Sequence, residues 1–214
     1  MRWLVRIVLA FYAFVLVSLV VYRFVDPPLT AVQAENFVFG LFAGRHEPFE
    51  QTDIPLSSVP VVMQHAVIAA EDGAFYQHHG IDWAELNLVL DKASDGGRLR
   101  GASTITQQLV KNLYLTNSRL PLRKLVEYTL APLAEIILGK QRILEIYLNV
   151  IEWGPNVWGV EAAARHHYGI SAKQLSRDQA ARLAACIPSP RKRTPPQMNK
   201  YSAIILDRMQ SRGW

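Results

Sequence analysis

From Ile7 to Tyr22 the chain carries no charge, and Ser18 is the only clearly polar residue in the run. Arg2 and Arg6 precede it, and Arg23 and Asp26 follow it. A helix that crosses a bilayer needs about 20 apolar residues. Trp3 to Val25 reaches that length if Arg6 and Arg23 carry their charges out to the interfaces. Trp3 and Tyr22 stand where interfacial aromatics are expected, and Pro27-Pro28 stops any helix. The favoured reading is a transmembrane signal anchor over residues 1–25. A cleaved signal peptide, with small residues at Ala31 to Ala34, and a buried core helix are the alternatives. Arg2 and Arg6 favour a cytoplasmic N-terminus, which places the rest of the chain on the far side of the membrane.

Beyond the run, the pattern is helical. Residues 26–47 read as a linker or membrane-proximal segment, with Phe37 to Phe42 as the one short strand candidate. Ser57 or Ser58 with Pro60 opens a helix to about Glu71. Asp82 caps one that runs to about Ser94, where Asp95-Gly96-Gly97 ends it. Ser103 or Thr104 caps another, to about Leu115. Pro121 opens a long helix expected to bend at Pro132. Lys140 to Glu152 places Ile143, Ile146, Tyr147, Val150 and Ile151 on one face. Further helices fit Val160 to Tyr168, Arg177 to Ile187 behind a Ser176-x-x-Gln179 capping box, and Met198 to Ser211. The fold class is mainly α.

Composition narrows this picture. The 214 residues hold 23 Lys and Arg against 18 Asp and Glu, a formal net charge of +5. Half the residues are apolar, which excludes wholesale disorder. Cys186 is the single cysteine, so a disulfide framework and a Cys-rich metal site are excluded.

Three constellations carry candidate chemistry. In Glu71-Asp72-Gly-Ala-Phe75-Tyr-Gln-His78-His79-Gly80, Glu71 sits near a helix C-terminus beside another carboxylate. Both features oppose its ionisation and raise its pKa, which suits a general base. A solvated polar loop is the plainer reading. In Gly101-Ala-Ser103-Thr104-Ile-Thr106-Gln107-Gln108-Leu-Val-Lys111-Asn112, Thr104, Gln108 and Lys111 form one polar stripe at helical spacing. The helix start, with its unpaired amides, suits an anion such as phosphate; an ordinary amphipathic surface helix is the alternative. In Arg123-Lys124-Leu-Val-Glu127, two cations share a helix flank with one glutamate and should hold it ionised. A surface ion pair is the alternative there. Two glutamates whose surroundings push their pKa values apart form the pattern that separates a proton acceptor from a charge-holding partner.

EDGAFYQHHGID, GASTITQQLVKN, RKLVE and KQRILEIYLN occur in that order. Together they resemble the peptidoglycan glycosyltransferase family, in its monofunctional biosynthetic form. The match covers roughly Pro48 to Pro190, and the whole domain is placed at residues 48–214. The resemblance implies a lysozyme-like, two-lobed helical domain that polymerises lipid II into linear glycan strands. New bonds would be β-1,4, formed with inversion and with release of undecaprenyl pyrophosphate. Glu71 matches the base that deprotonates the acceptor hydroxyl. Glu127 matches the glutamate that assists pyrophosphate departure, directly or through a divalent metal such as Mg or Mn. Thr104, Gln108 and Lys111 match donor-site positions, with Ser103 and Asn112 beside them. Arg123 and Lys124 match the basic pair near the pyrophosphate. Asp72, Phe75 and His78 complete the first motif, and Lys140 with Ile143 to Asn149 reads as scaffold. No organic cofactor is implied. Expected partners are lipid II, the growing glycan strand, membrane lipid and cell-wall synthesis proteins. The expected location is the bacterial inner membrane, single-pass, with the domain on the periplasmic side.

Rival readings remain open at this level. Two carboxylates on a lysozyme-like fold also suit a hydrolase, though the anchor and the cations speak against it. A pI near 9.4 and a helix-turn-helix flavour at Ala172 to Ile187 suit nucleic acid, but a domain outside the cytoplasm does not. A non-catalytic scaffold is the third rival. Ser189-Pro-Arg-Lys192 fits the S-x-x-K pattern of a transpeptidase by chance, since no K-T-G follows. No transpeptidase activity is expected. Cys186 has no assigned role, and Arg191-Lys-Arg193 is offered to anionic headgroups.

Overall fold

The structure is a computed structural model that describes residues 1–42, 44, 49–94, 101, 103–118 and 120–214. The helix stop expected at Asp95-Gly96-Gly97 lies outside these. Ten α-helices and one small sheet make up the described residues.

Helix α1 (Arg2–Tyr22) is long and apolar enough to cross a membrane, with a mean hydropathy of 2.6 over its best window and only 17% of that window buried. That exposure removes the core-helix reading, since a core helix is covered all round. One stripe of α1 docks on the rest of the chain. Val15 and Leu19 are buried, Ser18 pairs with the Tyr114 hydroxyl at 2.9 Å, and Tyr12 meets Thr129 at 2.6 Å.

Helix α2 (Ala31–Phe42) occupies the segment read as linker and overturns the strand candidate at Phe37 to Phe42. Phe37, Phe39 and Leu41 alternate in sequence as a strand would, but alternation over six residues is too short to outweigh a helix already running from Ala31. Gln33 caps its start through Thr30.

The core is built by α3 (Val61–Glu71), α5 (Ile105–Tyr114), α6 (Pro121–Leu138), α7 (Lys140–Val150), α9 (Arg177–Ala184) and α10 (Asn199–Ser211). Helix α3 packs on α9 and α10, while α5 packs on α6, α7 and α2. Pro60 precedes α3, and Leu56–Ser58 is a separate 3-10 turn. Thr104 starts α5 with a full capping box to Gln107, as the hydroxyl spacing predicts. Pro121 opens α6 and Pro132 lies inside it.

Helix α7 ends at Val150, two residues before the expected Glu152. Glu152–Gly154 instead forms β2, paired antiparallel with β3 (Val157–Trp158). Asn156 at φ 55° makes the turn. β1 (Glu50–Gln51) joins β3 in parallel. Helix α8 (Val160–Tyr168) follows. Helix α4 (Trp83–Ser94) is started by Asp82, whose carboxylate accepts the Glu85 N–H at 2.9 Å.

The region with a helix-turn-helix flavour is a 3-10 turn at Ala172–Gln174 followed by α9. Helix α9 packs on α3 and α10 through buried Ala180, Ala181, Leu183 and Ala184.

Candidate active site

Glu71 is the last residue of α3. Gln108 on α5 donates its amide to Glu71 Oε2 at 2.7 Å. The Tyr147 hydroxyl on α7 donates to the other end of that amide, Gln108 Oε1, at 2.8 Å. One hydrogen-bonded chain therefore joins three helices and ends on the carboxylate. Burial pushes the Glu71 carboxyl above its usual range; Gln108, Arg193 and Lys111 oppose the shift, and Asp72 adds to it. The direction is the expected one, but its main cause is desolvation and not the neighbouring charge.

Asp72 braces the start of α5 and the His78 ring. Its carboxylate accepts the Ile105 N–H at 2.9 Å and lies 3.0 Å from His78 Nε2 through both oxygens. The Gly80 N–H donates to His78 Nδ1, which leaves Nε2 as the protonated nitrogen facing Asp72. Thr104 N and Gln107 N are taken by the capping box. The Thr104, Ile105 and Gln107 amides at the start of α5 are thus already taken by the protein's own cap and carboxylate, so they are not the unpaired donors expected there. The physical reason is that an anion already sits there.

The same contacts tie the first two motifs together. The Thr104 hydroxyl donates to Gly80 O at 2.6 Å. Gly80 has φ +92°, and a Cβ there would stand 2.8 Å from the Ala131 carbonyl carbon of α6. Phe75 is fully buried, with Lys140 Nζ 4.5 Å from its ring centre. Phe75 and His78 therefore hold the loop and do not line the cleft described below.

That cleft has a volume of about 1160 Å³. Glu71, Asp72, Ser103, Thr104, Gln108, Lys111, Arg123, Lys124 and Glu127 all line it. The residues of the polar stripe thus share one cleft with both glutamates. Asn112 is not among the lining residues; it is buried and donates to Gln108 O at 2.8 Å.

Glu127 is 2% exposed. Arg123 donates to its Oε1, and Lys124 donates to Oε2 at 2.8 Å and to Ser103 Oγ at 2.8 Å. Glu127 is buried while Arg123 and Lys124 stay partly exposed, so this is not a surface ion pair, and removing the cations leaves a buried charge uncompensated. Burial and then the Arg123 charge push the Lys111 ammonium below its usual range. Such crowding of cations is relieved by an anion in the cleft. A divalent metal does not fit the donor set at Glu127, because both its oxygens are already held by cations. Among the described residues, no group of three His, Cys, Asp or Glu side chains converges on a metal-sized site.

Two cations, Arg208 and Arg212, were missed from sequence, and a third, Arg193, was read only as part of a basic cluster. Arg193, Arg208 and Arg212 line the same cleft. Arg193 leaves the basic cluster offered to headgroups: it bonds Ala185 O at 2.9 Å and stacks over Tyr201. Arg191 turns away to Glu152 at 2.9 Å. The only sequence signal was the four-residue spacing of Arg208 and Arg212, which places them on one helix flank. Cys186 is buried, and its burial pushes the thiol up to about 11, which makes it inert.

Comparison with known proteins agrees with this architecture. A family model described as transglycosylase matches residues 40–210. A protein of Brucella suis biovar 1, named biosynthetic peptidoglycan transglycosylase, is 48% identical over 164 residues, covering 75% of this chain and 73% of its own. A protein of the same name from Nitrosospira multiformis is 41% identical over 98% of this chain and 96% of its own. Another from Pasteurella multocida is 41% identical over 98% of this chain and 84% of its own. With the match covering most of the sequence, the chain belongs to the transglycosylase family, and it is a glycosyltransferase of peptidoglycan synthesis.

Proposed function

We propose that the protein polymerises lipid II into linear glycan strands at the outer face of the bacterial inner membrane. The observation that carries this reading is the pair of glutamates in one cleft. One is desolvated beside a positioned amide. The other is locked between two cations.

Each glutamate then has a distinct task. Glu71 accepts the proton of the acceptor GlcNAc 4-hydroxyl. The freed oxygen attacks C1 of the lipid-linked glycan from the face opposite the pyrophosphate. A β-1,4 bond forms as the C1–O bond breaks, and undecaprenyl pyrophosphate leaves with the bonding electrons. Lys111, Arg123 and Lys124 stabilise the negative charge that grows on the leaving group. Glu127 keeps Arg123 and Lys124 in place. The raised pKa of Glu71 makes it a stronger proton acceptor than an ordinary carboxylate, so its basicity fits the task.

Membrane attachment agrees with a lipid-linked substrate. Helix α1 has the length and apolar character of a single-pass anchor. Phe37, Phe39 and Phe42 on α2 and Leu120, Leu122 and Leu125 around the start of α6 are exposed. The two sets are joined where Glu35 accepts the Asn117 N–H at 2.8 Å. An apolar surface of this kind beside an anchor suits the lipid interface.

The test incubates purified full-length protein with labelled lipid II. A lysozyme-sensitive polymer is expected, and Glu71→Gln should abolish it without loss of fold. Near-normal polymer from Glu71→Gln would refute the base assignment. Cleavage of preformed glycan in place of synthesis would make the enzyme a hydrolase.

A further inference from the structure

The outer end of α1 is bound to the rest of the chain by charged groups that the reaction does not use. Helix α1 stops at Tyr22, with Arg23 as its C-cap. The last carbonyls of a helix have no partner inside it. Two of these are met by the amides that follow: the Arg23 N–H donates to Leu19 O, and the Phe24 and Val25 N–H groups donate to Val21 O. The carbonyl of Tyr22 is met from outside. Arg142 on α7 donates its Nε–H to Tyr22 O at 2.7 Å. The same guanidinium pairs with Asp26 at 2.8 Å and with Glu145. Glu145 in turn accepts the Leu56 N–H at 2.6 Å. Arg23 donates to Ile137 O of α6 at 2.5 Å.

Arg142 is thus a cap for α1 supplied by another helix. Its charge suits the negative end of α1, and its planar fork meets a carbonyl and two carboxylates at once. Only 15% of its side chain is exposed, whereas that of Asp26 is half exposed. Other contacts repeat the attachment along α1. Ser18 reaches Tyr114 at the end of α5, and Tyr12 reaches Thr129 of α6. Tyr12 to Tyr22 is about 15 Å of helix. Beyond Pro27-Pro28, Gln33 donates to Gln51 at 2.8 Å, and Gln51 donates to Asp53 at 2.8 Å. The connection from α1 to the domain is therefore bonded on both sides of Pro27-Pro28 and is not a loose tether.

A substrate whose lipid tail lies in a bilayer presents its sugar at a fixed height above it. A cleft on a loose tether would meet that sugar at many heights and tilts. We infer that Arg142 is a positioning residue for glycan synthesis: by locking the outer end of α1 to α7, it fixes the height and tilt of the cleft at the membrane. This rests on the polymerase reading above and on α1 as the anchor. Arg142 is not among the residues that line the cleft, so it acts through the anchor and not on the substrate. Helix α7 also carries Tyr147, whose hydroxyl holds Gln108 beside the base. The clamp therefore joins the anchor to a helix that supports the catalytic carboxylate.

The test compares full-length protein in two media. One is vesicles of phosphatidylethanolamine and phosphatidylglycerol that carry lipid II. The other is detergent micelles with the same lipid II, where the substrate is free to meet the cleft at any height and the clamp is not needed. The variants are Arg142→Gln and Asp26→Asn, with Arg142→Lys for rescue of charge. A melting temperature matching the wild type establishes that Arg142→Gln is folded. If it melts early, Asp26→Asn, at an exposed position, carries the test. In vesicles kcat is expected to fall about tenfold in Arg142→Gln and about threefold in Asp26→Asn, with Arg142→Lys recovering part of the loss. In micelles all three should stay within twofold of the wild type. Hydrogen exchange in vesicles at the amides of Arg23 to Asp26 should quicken in each slowed variant. Equal losses in both media would make Arg142 a packing residue of α7 and overturn the proposal. An unchanged rate in vesicles, or a loss there without faster exchange, also overturns it. Wild-type protein that makes no polymer in either medium refutes the polymerase reading, and wild-type protein that alkaline carbonate washes off the vesicles refutes the anchor, which separates these failures from that of the clamp.

Discussion

Tyr147→Phe tests whether the chain from Tyr147 through Gln108 to Glu71 sets the strength of the base. Tyr147 is fully buried, and its hydroxyl is bonded to Gln108 Oε1 at 2.8 Å. Removing the oxygen leaves the ring in place and the carbonyl of Gln108 without that donor. A net cost of about 1 kcal/mol follows for the lost bond, with more if the carbonyl stays unsatisfied. The amide is then free to turn. In the native arrangement it donates to Glu71 Oε2, which favours the ionised carboxylate. Turned over, it presents its carbonyl and favours the protonated acid. About 1 kcal/mol transferred to that equilibrium means about fivefold less base on the rising limb of the pH profile. The assay is the rate of glycan synthesis against pH for the wild type and Tyr147→Phe. The acid limb should move to higher pH, with activity on the plateau within twofold. In a Gln108→Leu background the same change should leave the limb where it is, because the link is already cut. A uniform loss at every pH, with the limb unmoved, would refute the reasoning and leave Tyr147 as core packing alone.

Glu71→Gln should leave the melting temperature at neutral pH unchanged or slightly higher. The native carboxyl is raised, so the folded chain holds the proton more tightly than the unfolded one. Stability then falls as pH rises from the ordinary carboxyl range through the native pKa, and the cost is fully present above it. Melts of the wild type and Glu71→Gln should converge in acid, and a clear loss of stability at neutral pH would contradict the desolvated state. Asp72→Asn should loosen the start of α5, since the charge accepts both the Ile105 N–H and the His78 ring; faster hydrogen exchange at Ile105 is the readout. Gly80→Ala combines a left-handed φ with a Cβ 2.8 Å from the Ala131 backbone and should cost about 2–3 kcal/mol. A thermal melt should then fall by roughly 5–10 °C, and an unchanged melt would mean that the loop is free to move from α6.

What the sequence showed and hid divides along physical lines. Helix starts were legible because capping is local: Thr104 with Gln107, and Ser176 with Gln179, sit three residues apart and close the boxes their spacing predicts. The triad of Arg123, Lys124 and Glu127 was legible as neighbours on one helix flank. The burial of Glu127 was not, because the contact of α5 with α6 that places Ser103 beside Lys124 is made by distant segments. The same limit explains the two misread causes. Glu71 was expected to be raised by the helix end and by Asp72; Asp72 does add to the shift, but burial is its largest cause. The amides at the start of α5 were expected to be free for substrate, yet a carboxylate 33 residues earlier in the chain already accepts one of them. The largest omission, the arginines of the C-terminal segment, has the same origin. Arg208 reaches the carbonyl of Ala69 across 139 residues, so no window along the chain contains both partners. Local periodicity can identify which residues share a helix face. It cannot tell whether that face meets solvent, core or a cleft. In this protein that difference separates an amphipathic surface helix from the wall that surrounds the base.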